Sequence, residues 1–226
     1  MSSTKEVHFF DNDENFKKGI NWYKNFFQKD KKINGEITPD YMIYNFVPKR
    51  IFETLGDNIK LIFLLRNPSQ RAFSQFNFYL NQGVEEKTNF KDITKSEKLD
   101  FFNNDYFTWW DPTYYLSRGL YYNQIKRFLK YFKKENMHFI LYEELYSKDF
   151  NYHMNELFIF LNLEKIDLKI PQNNESFKIP NNRFISFLNY KIKSNIKVIN
   201  LMPEKLLNIL KFVFFSLTRK HASKLD

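Results

Sequence analysis

The sequence contains no cysteine among its 226 residues. Disulfides, thiolate nucleophiles and cysteine-based zinc sites are therefore excluded. Glycine is scarce, and Gly19, Gly35, Gly56, Gly83 and Gly119 never cluster, so no glycine-rich phosphate cradle is visible. Long apolar runs are also missing. The longest near the end, Leu206–Leu217, is interrupted by Asn208 and Lys211. It is about 12 residues long, against the ~20 that a bilayer span requires. It reads as a packed helix, with an interfacial helix as the alternative. Met1–Phe10 is polar and then charged, unlike a signal peptide. His8, His138, His153 and His221 lie far apart without ligand spacing, so no metal is expected. None of these features assigns a compartment or an oligomeric state.

The residues that are present describe a globular chain. Hydrophobic content is 43%, with 27 Phe and 14 Tyr, ample for a buried core. The net charge of +9 invites an anionic partner, but the chain carries 28 Lys against 7 Arg, together with 26 Asn. Enrichment of Lys, Asn, Ile and Phe together is what AT-rich coding DNA produces. A solvated lysine surface and a basic groove both fit this charge. No basic helix or aromatic stacking motif accompanies it, so a nucleic-acid partner is not expected.

Strands alternating with helices indicate an α/β fold with a parallel sheet. Lys60–Leu65 is a continuous apolar run, read as a central strand covered on both faces. His138–Tyr142 reads as a second buried strand. Helices are expected over Glu14–Phe27, Gln70–Asn81 with Ser69 as N-cap, Tyr121–Phe132, Asn151–Leu161 and much of Phe184–Leu217. Asp100–Pro112 is aromatic and irregular, and Asn173–Asn182 reads as a polar loop. No repeat or linker divides the chain, so a single domain over 1–226 is expected.

Three places have the residue types for chemistry. Ligands of open parallel sheets bind beyond the carboxyl ends of the strands. Arg66 stands there, and Ser74 lies about one turn into the next helix. A guanidinium, a hydroxyl and a helix N-terminus make an anion site, although an arginine closing a strand beside a surface serine fits as well. Near the start, Glu6, His8 and Phe10 share a side if the segment is extended. A carboxylate beside an imidazole suits acid–base work on a hydroxyl, and ordinary surface is the plain alternative. Finally, Ser117-Arg118-Gly119-Leu120-Tyr121 offers a cation and open backbone at a ligand, or simply a helix capped by Ser117.

Taken in order, several stretches resemble the PAPS-dependent sulfotransferases, above all the heparan sulfate sulfotransferase domains and their bacterial relatives. They are EVHFFD at Glu6–Asp11, GINWY at Gly19–Tyr23, GEITPDY at Gly35–Tyr41 and LIFLLRNPSQRAFSQF at Leu61–Phe76. Two more follow, LSRGLYYNQIKRFLKYF at Leu116–Phe132 and HFILYEEL at His138–Leu145. The resemblance covers Lys5 to Arg183. It implies a three-layer, P-loop-like fold with a central parallel sheet flanked by helices. It also implies transfer of a sulfuryl group from 3′-phosphoadenylyl sulfate (PAPS), a co-substrate, to a hydroxyl or amine, most naturally on a carbohydrate. Carried over residue by residue, it makes Glu6 the general base and His8 its neighbour at the acceptor. Arg66 and Ser74 become the 3′-phosphate pair. Ser117, Arg118, Gly119 and Tyr121 become the wall near the nucleotide, and Arg183 part of a closing loop.

Three departures stand out. The family opens with a strand and a phosphosulfate-cradling loop that has no counterpart here, so the chain is expected to be incomplete at that end. It also stops at Lys224-Leu225-Asp226, about where the family's last helices begin. Ile37 occupies the place of a lysine aimed at the sulfate. An aliphatic side chain cannot stabilise developing negative charge, and loss of one such donor slows transfer roughly 10²–10³-fold. The alternative function is a non-catalytic relative that binds polyanions or sulfated glycans.

Overall fold

The computed structural model describes residues 1–31, 33–82, 85, 89–96, 114–145, 147, 149–166, 168, 178–180 and 219–221. The described residues of Met1–Leu65 and Leu120–Asp167 form one compact unit, and those of Arg66–Phe101, Thr108–Gly119 and Leu168–Asp226 form another.

The first unit is built on two parallel strands, β1 (Leu61–Leu65) and β2 (Met137–Leu141), in register from Leu61 opposite Met137 to Leu65 opposite Leu141. Parallel pairing needs a crossover, which residues 66–136 supply. The apolar run of β1 is not covered on both faces. Phe63 is buried, whereas Ile62 and Leu64 are exposed, as are Phe139 and Leu141 of β2. An all-apolar strand reads the same in sequence whether one face or two are covered.

Phe63 meets the Phe128 ring edge-on at 5.2 Å and stacks on Phe139 at 5.1 Å. Around it close Val7, Phe9, Phe10, Tyr23, Val47, Ile51 and Phe132. The expected helix over Glu14–Phe27 forms as two short pieces, α1 (Asp13–Lys17) and α2 (Gly19–Lys24). The break falls at Gly19, whose φ of +78° lies in the left-handed region that glycine enters without strain. Helix α3 (Val47–Leu55) buries Val47, Pro48 and Ile51 and stops at Gly56. Helices α6 (Tyr121–Phe128), α7 (Tyr142–Leu145) and α8 (Phe150–Leu161) complete this unit.

The second unit holds α4 (Pro68–Gln82), α5 (Phe90–Ser96) and a 3₁₀ turn at Ser117–Gly119. Ala72, Phe76, Ile93 and Tyr115 form its core. A short antiparallel pair, β3 (Lys178–Pro180) with β4 (Arg219–His221), belongs here too, so a strand stands within the expected Asn173–Asn182 loop. The N-cap of α4 is Asn67 rather than Ser69, with Asn67 Oδ1 accepting from the Ser69 and Gln70 amides. Proline at the first helical position favours a cap one residue before it. Ser117 is not a cap either. Leu120 precedes α6 without a side-chain bond, and Ser117 is fully buried in its own turn. Asp100–Pro112, Arg183 and the helices expected over Phe184–Leu217 lie outside the described residues. Among the described residues no helix is long and apolar enough to cross a membrane.

Candidate functional site

The segment from Glu6 to Asp11 is not extended. Glu6 and His8 have φ of 57° and 51°, both in the left-handed region, which costs a non-glycine residue on the order of 1–2 kcal/mol. The turn separates the side chains differently from a strand. Val7, Phe9 and Phe10 all enter the core, so Phe10 does not share a side with Glu6 and His8.

What the turn brings together is a row. Glu6 Oε2 lies 3.7 Å from His8 Nε2, and His8 Nδ1 lies 2.8 Å from Asp11 Oδ2. Exposure falls along the row: 36% of the Glu6 side chain is accessible, 14% of His8 and 3% of Asp11. The carboxylate at the open end is the one a ligand can reach. Burial pushes the Asp11 carboxyl up from its ordinary value, opposed by the hydrogen bond and charge of His8. Asp40 comes alongside. One ligand-type atom each from His8, Asp11 and Asp40 lies within 4.8 Å of the others. The spacing of histidines along the chain gave no sign of this grouping, because Asp40 arrives through tertiary folding.

In the second unit, the start of α4 and the Ser117–Gly119 turn meet directly. A Cβ placed on Gly119 would lie 2.9 Å from Pro68 Cβ. Arg71 links α4 to the chain just before that turn, donating through Nη2 to the Tyr115 carbonyl, and bonds within α4 through Nη1 to Gln75 Oε1 at 2.7 Å. Arg66 directly follows β1 in the chain and Ser74 sits in the second turn of α4, both half-buried. The helix N-terminus differs from expectation in one respect. Its early amides are occupied: Ser69 and Gln70 bond Asn67 Oδ1 at 3.1 and 3.2 Å, and Arg71 bonds the Asn67 carbonyl at 2.9 Å. These donors are therefore taken up at the start of the helix itself.

The residues singled out from sequence thus fall into two groups. Glu6 and His8 stand together in one unit, where Tyr121 opens α6. Arg66, Ser74, Ser117, Arg118 and Gly119 stand in the other, where the Ser117–Gly119 turn and the head of α4 are in contact. Ile37 is 57% exposed, an aliphatic side chain held in solvent. Asp11 and Asp40 were missed. Asp11 lies three residues from His8 inside a motif already singled out, so its spacing was a usable signal. Asp40 offered none.

Residues 1–208 match the family model of the sulfotransferase domain. The chain is 37% identical over 144 residues to heparan sulfate glucosamine 3-O-sulfotransferase 5 of Mus musculus, a match covering 62% of this chain and 40% of that protein. It is 25% identical over 281 aligned positions to the membrane-associated sulfotransferase kil1 of Dictyostelium discoideum, covering 88% of this chain and 59% of that one. The chain therefore spans less than two thirds of the length of either relative. Among solved structures, a sulfotransferase from Alicyclobacillus acidocaldarius superposes with a TM-score of 0.58 at 23% identity, covering 76% of each chain. That likeness shows a shared α/β fold.

Proposed function

The chain belongs to the sulfotransferase domain family, and we propose that it moves a sulfuryl group from PAPS to a hydroxyl or amine of a carbohydrate. The observation that carries this reading is the Glu6–His8–Asp11 row, with its one accessible carboxylate at the open end. In the reaction a bond forms between the acceptor oxygen or nitrogen and sulfur. The bond from sulfur to the bridging oxygen of the donor breaks, and adenosine 3′,5′-bisphosphate leaves. The acceptor proton goes to Glu6, since a hydroxyl ionises far too weakly to attack unaided. His8 stands at ion-pair distance from that carboxylate and stays oriented through Asp11.

The donor's 3′-phosphate is assigned to Arg66 and Ser74. The Ser117–Gly119 turn and Tyr121 are assigned to the wall beside the nucleotide, and Arg183 to a segment closing over it. The packing of Gly119 on Pro68 supports grouping the first two. A family match running unbroken over residues 1–208 supports reading the chain as a single domain. The glycan named for the heparan sulfate relatives supports a sugar acceptor here.

Calorimetry with adenosine 3′,5′-bisphosphate tests the donor half, and Arg66→Ala is expected to weaken binding by at least tenfold, the scale of a lost charge-assisted bond. Transfer from radiolabelled PAPS to a glucosamine-containing oligosaccharide tests the acceptor half. Glu6→Gln is expected to slow it about 10²–10⁴-fold. Unchanged affinity in the first and unchanged turnover in the second would together sink the reading. The exposed Ile37 favours a second possibility, a relative that retains polyanion binding without transfer. Its mark is salt-sensitive heparin retention that Arg66→Ala leaves untouched.

A further inference from the structure

Two strained residues, Glu6 and His8, flank Val7 in this turn, and the peptide groups that follow are held by side chains from elsewhere. The Tyr41 hydroxyl accepts from the Phe9 amide at 2.9 Å and from the Phe10 amide at 3.3 Å. Asn15 Nδ2 donates to the His8 carbonyl at 3.1 Å and the Val7 carbonyl at 3.3 Å. Arg50 Nη1 donates to the Phe10 carbonyl at 3.1 Å. Every peptide group from Val7 to Phe10 thus has a side-chain partner.

The Tyr41 oxygen occupies a particular position. Consecutive amides after a left-handed residue converge to make a small anion-binding concavity. Here that concavity, formed by the Phe9 and Phe10 amides, is filled by a hydroxyl oxygen that itself donates to Glu36 Oε1 at 2.8 Å. Glu36 also accepts from Tyr23 at 2.5 Å and from Thr38 at 2.6 Å. Donation to a carboxylate makes the tyrosine oxygen a better acceptor, so Glu36 acts on the amides through Tyr41. Burial and the Glu36 charge push the Tyr23 and Tyr41 hydroxyls well above their usual values, which keeps both protonated as donors.

We propose that Tyr41, backed by Glu36, and Asn15 are positioning residues that clamp the peptide groups around His8 and so hold Glu6, His8 and Asp11 in their row. Its catalytic meaning rests on the reading of Glu6 as base; the clamp itself does not. Tyr41 and Asn15 need never touch a substrate.

The test uses the whole chain, labelled with nitrogen-15. Tyr41→Phe keeps the ring and removes only the hydroxyl. It is expected to speed hydrogen exchange at the Phe9 and Phe10 amides about tenfold, the scale of one lost hydrogen bond. It should also loosen the His8 ring that Asp11 holds at 2.8 Å, read as a change in the ring nitrogen shifts. Asn15→Ala, which removes no core ring, should give the same ring signature. Ile51→Val removes a buried methyl and no hydrogen bond, and should give neither effect. In transfer assays Tyr41→Phe is expected to lower kcat about 10–100-fold with the KM for PAPS unchanged, as misplacement without lost donor binding predicts. Wild-type exchange and ring nitrogen shifts in Tyr41→Phe and Asn15→Ala would overturn the clamp, as would the same changes appearing in Ile51→Val. Glu6→Gln with wild-type turnover refutes the base and not the clamp.

Discussion

Gly119 lies against Pro68 so closely that an added Cβ would come 2.9 Å from the proline Cβ. Both atoms belong to stiff pieces, a proline ring at the head of α4 and a 3₁₀ turn, so neither gives way cheaply. Gly119→Ala is expected to cost about 1–3 kcal/mol by overpacking, seen as a lower thermal midpoint. Because the same contact joins the two motif segments assigned to the nucleotide, affinity for adenosine 3′,5′-bisphosphate should fall with it. A variant of unchanged stability and unchanged affinity would show that the two pieces are not held together there.

Ile37 is the departure most easily reversed. It is 57% exposed, so Ile37→Lys replaces solvated apolar surface with a solvated ammonium and should shift stability by less than about 0.5 kcal/mol. If the residue faces the transferred group, the lysine adds a donor where charge develops, and turnover should rise on the order of 10²-fold. The measurement is transfer from radiolabelled PAPS by both chains at equal concentration. Equal rates would place this position away from the sulfate.

How far the sequence disclosed this arrangement depends on where each controlling contact comes from. The β1 strand and the helix after it were legible because their signals are local: an apolar run, then Ala72 and Phe76 at helical spacing. The break at Gly19 and the cap at Asn67 were legible in principle, since glycine and the Asn-Pro pair both mark such boundaries. The Glu6–Asp11 turn was not. Its backbone is set by Tyr41, more than thirty residues away, whose hydroxyl binds the Phe9 and Phe10 amides. No alternation rule sees such a partner. The one-sided exposure of β1 escaped for a related reason, because what covers a strand is not written in the strand.

His138 gives a pH dependence with a definite sign. Burial lowers its pKa from 6.5, with Glu156 opposing and His153 assisting. The folded state therefore disfavours the charged ring more than the unfolded chain does. The stability it contributes is present above the ordinary value and is lost as pH falls through 6.5 toward the depressed folded value. His138 stacks on Phe160 at 5.0 Å, so His138→Phe retains a stacked ring without a titrating group. The difference in thermal midpoint between the two chains should widen in favour of the variant as the solution is acidified across that window. A constant difference would mean that His138 is not linked to folding.

Arg50 offers the last prediction, and it separates shape from charge. Its guanidinium lies between the Phe16 and Phe46 rings, 4.5 and 4.3 Å from their centroids. One nitrogen donates to the Phe10 carbonyl at 3.1 Å and another pairs with Asp13 at 2.5 Å. The Asp13 side chain is largely exposed, so that ion pair contributes little. The stack and the bond to a carbonyl next to the core carry more. Arg50→Lys preserves the charge, but an ammonium cannot fill a flat slot between two rings and reach both partners at once. Arg50→Lys is therefore expected to lose about 1–2 kcal/mol, and Arg50→Ala about 2–3, by urea denaturation. If charge alone matters, the lysine variant unfolds at the wild-type midpoint, and the planar fit between Phe16 and Phe46 carries no weight.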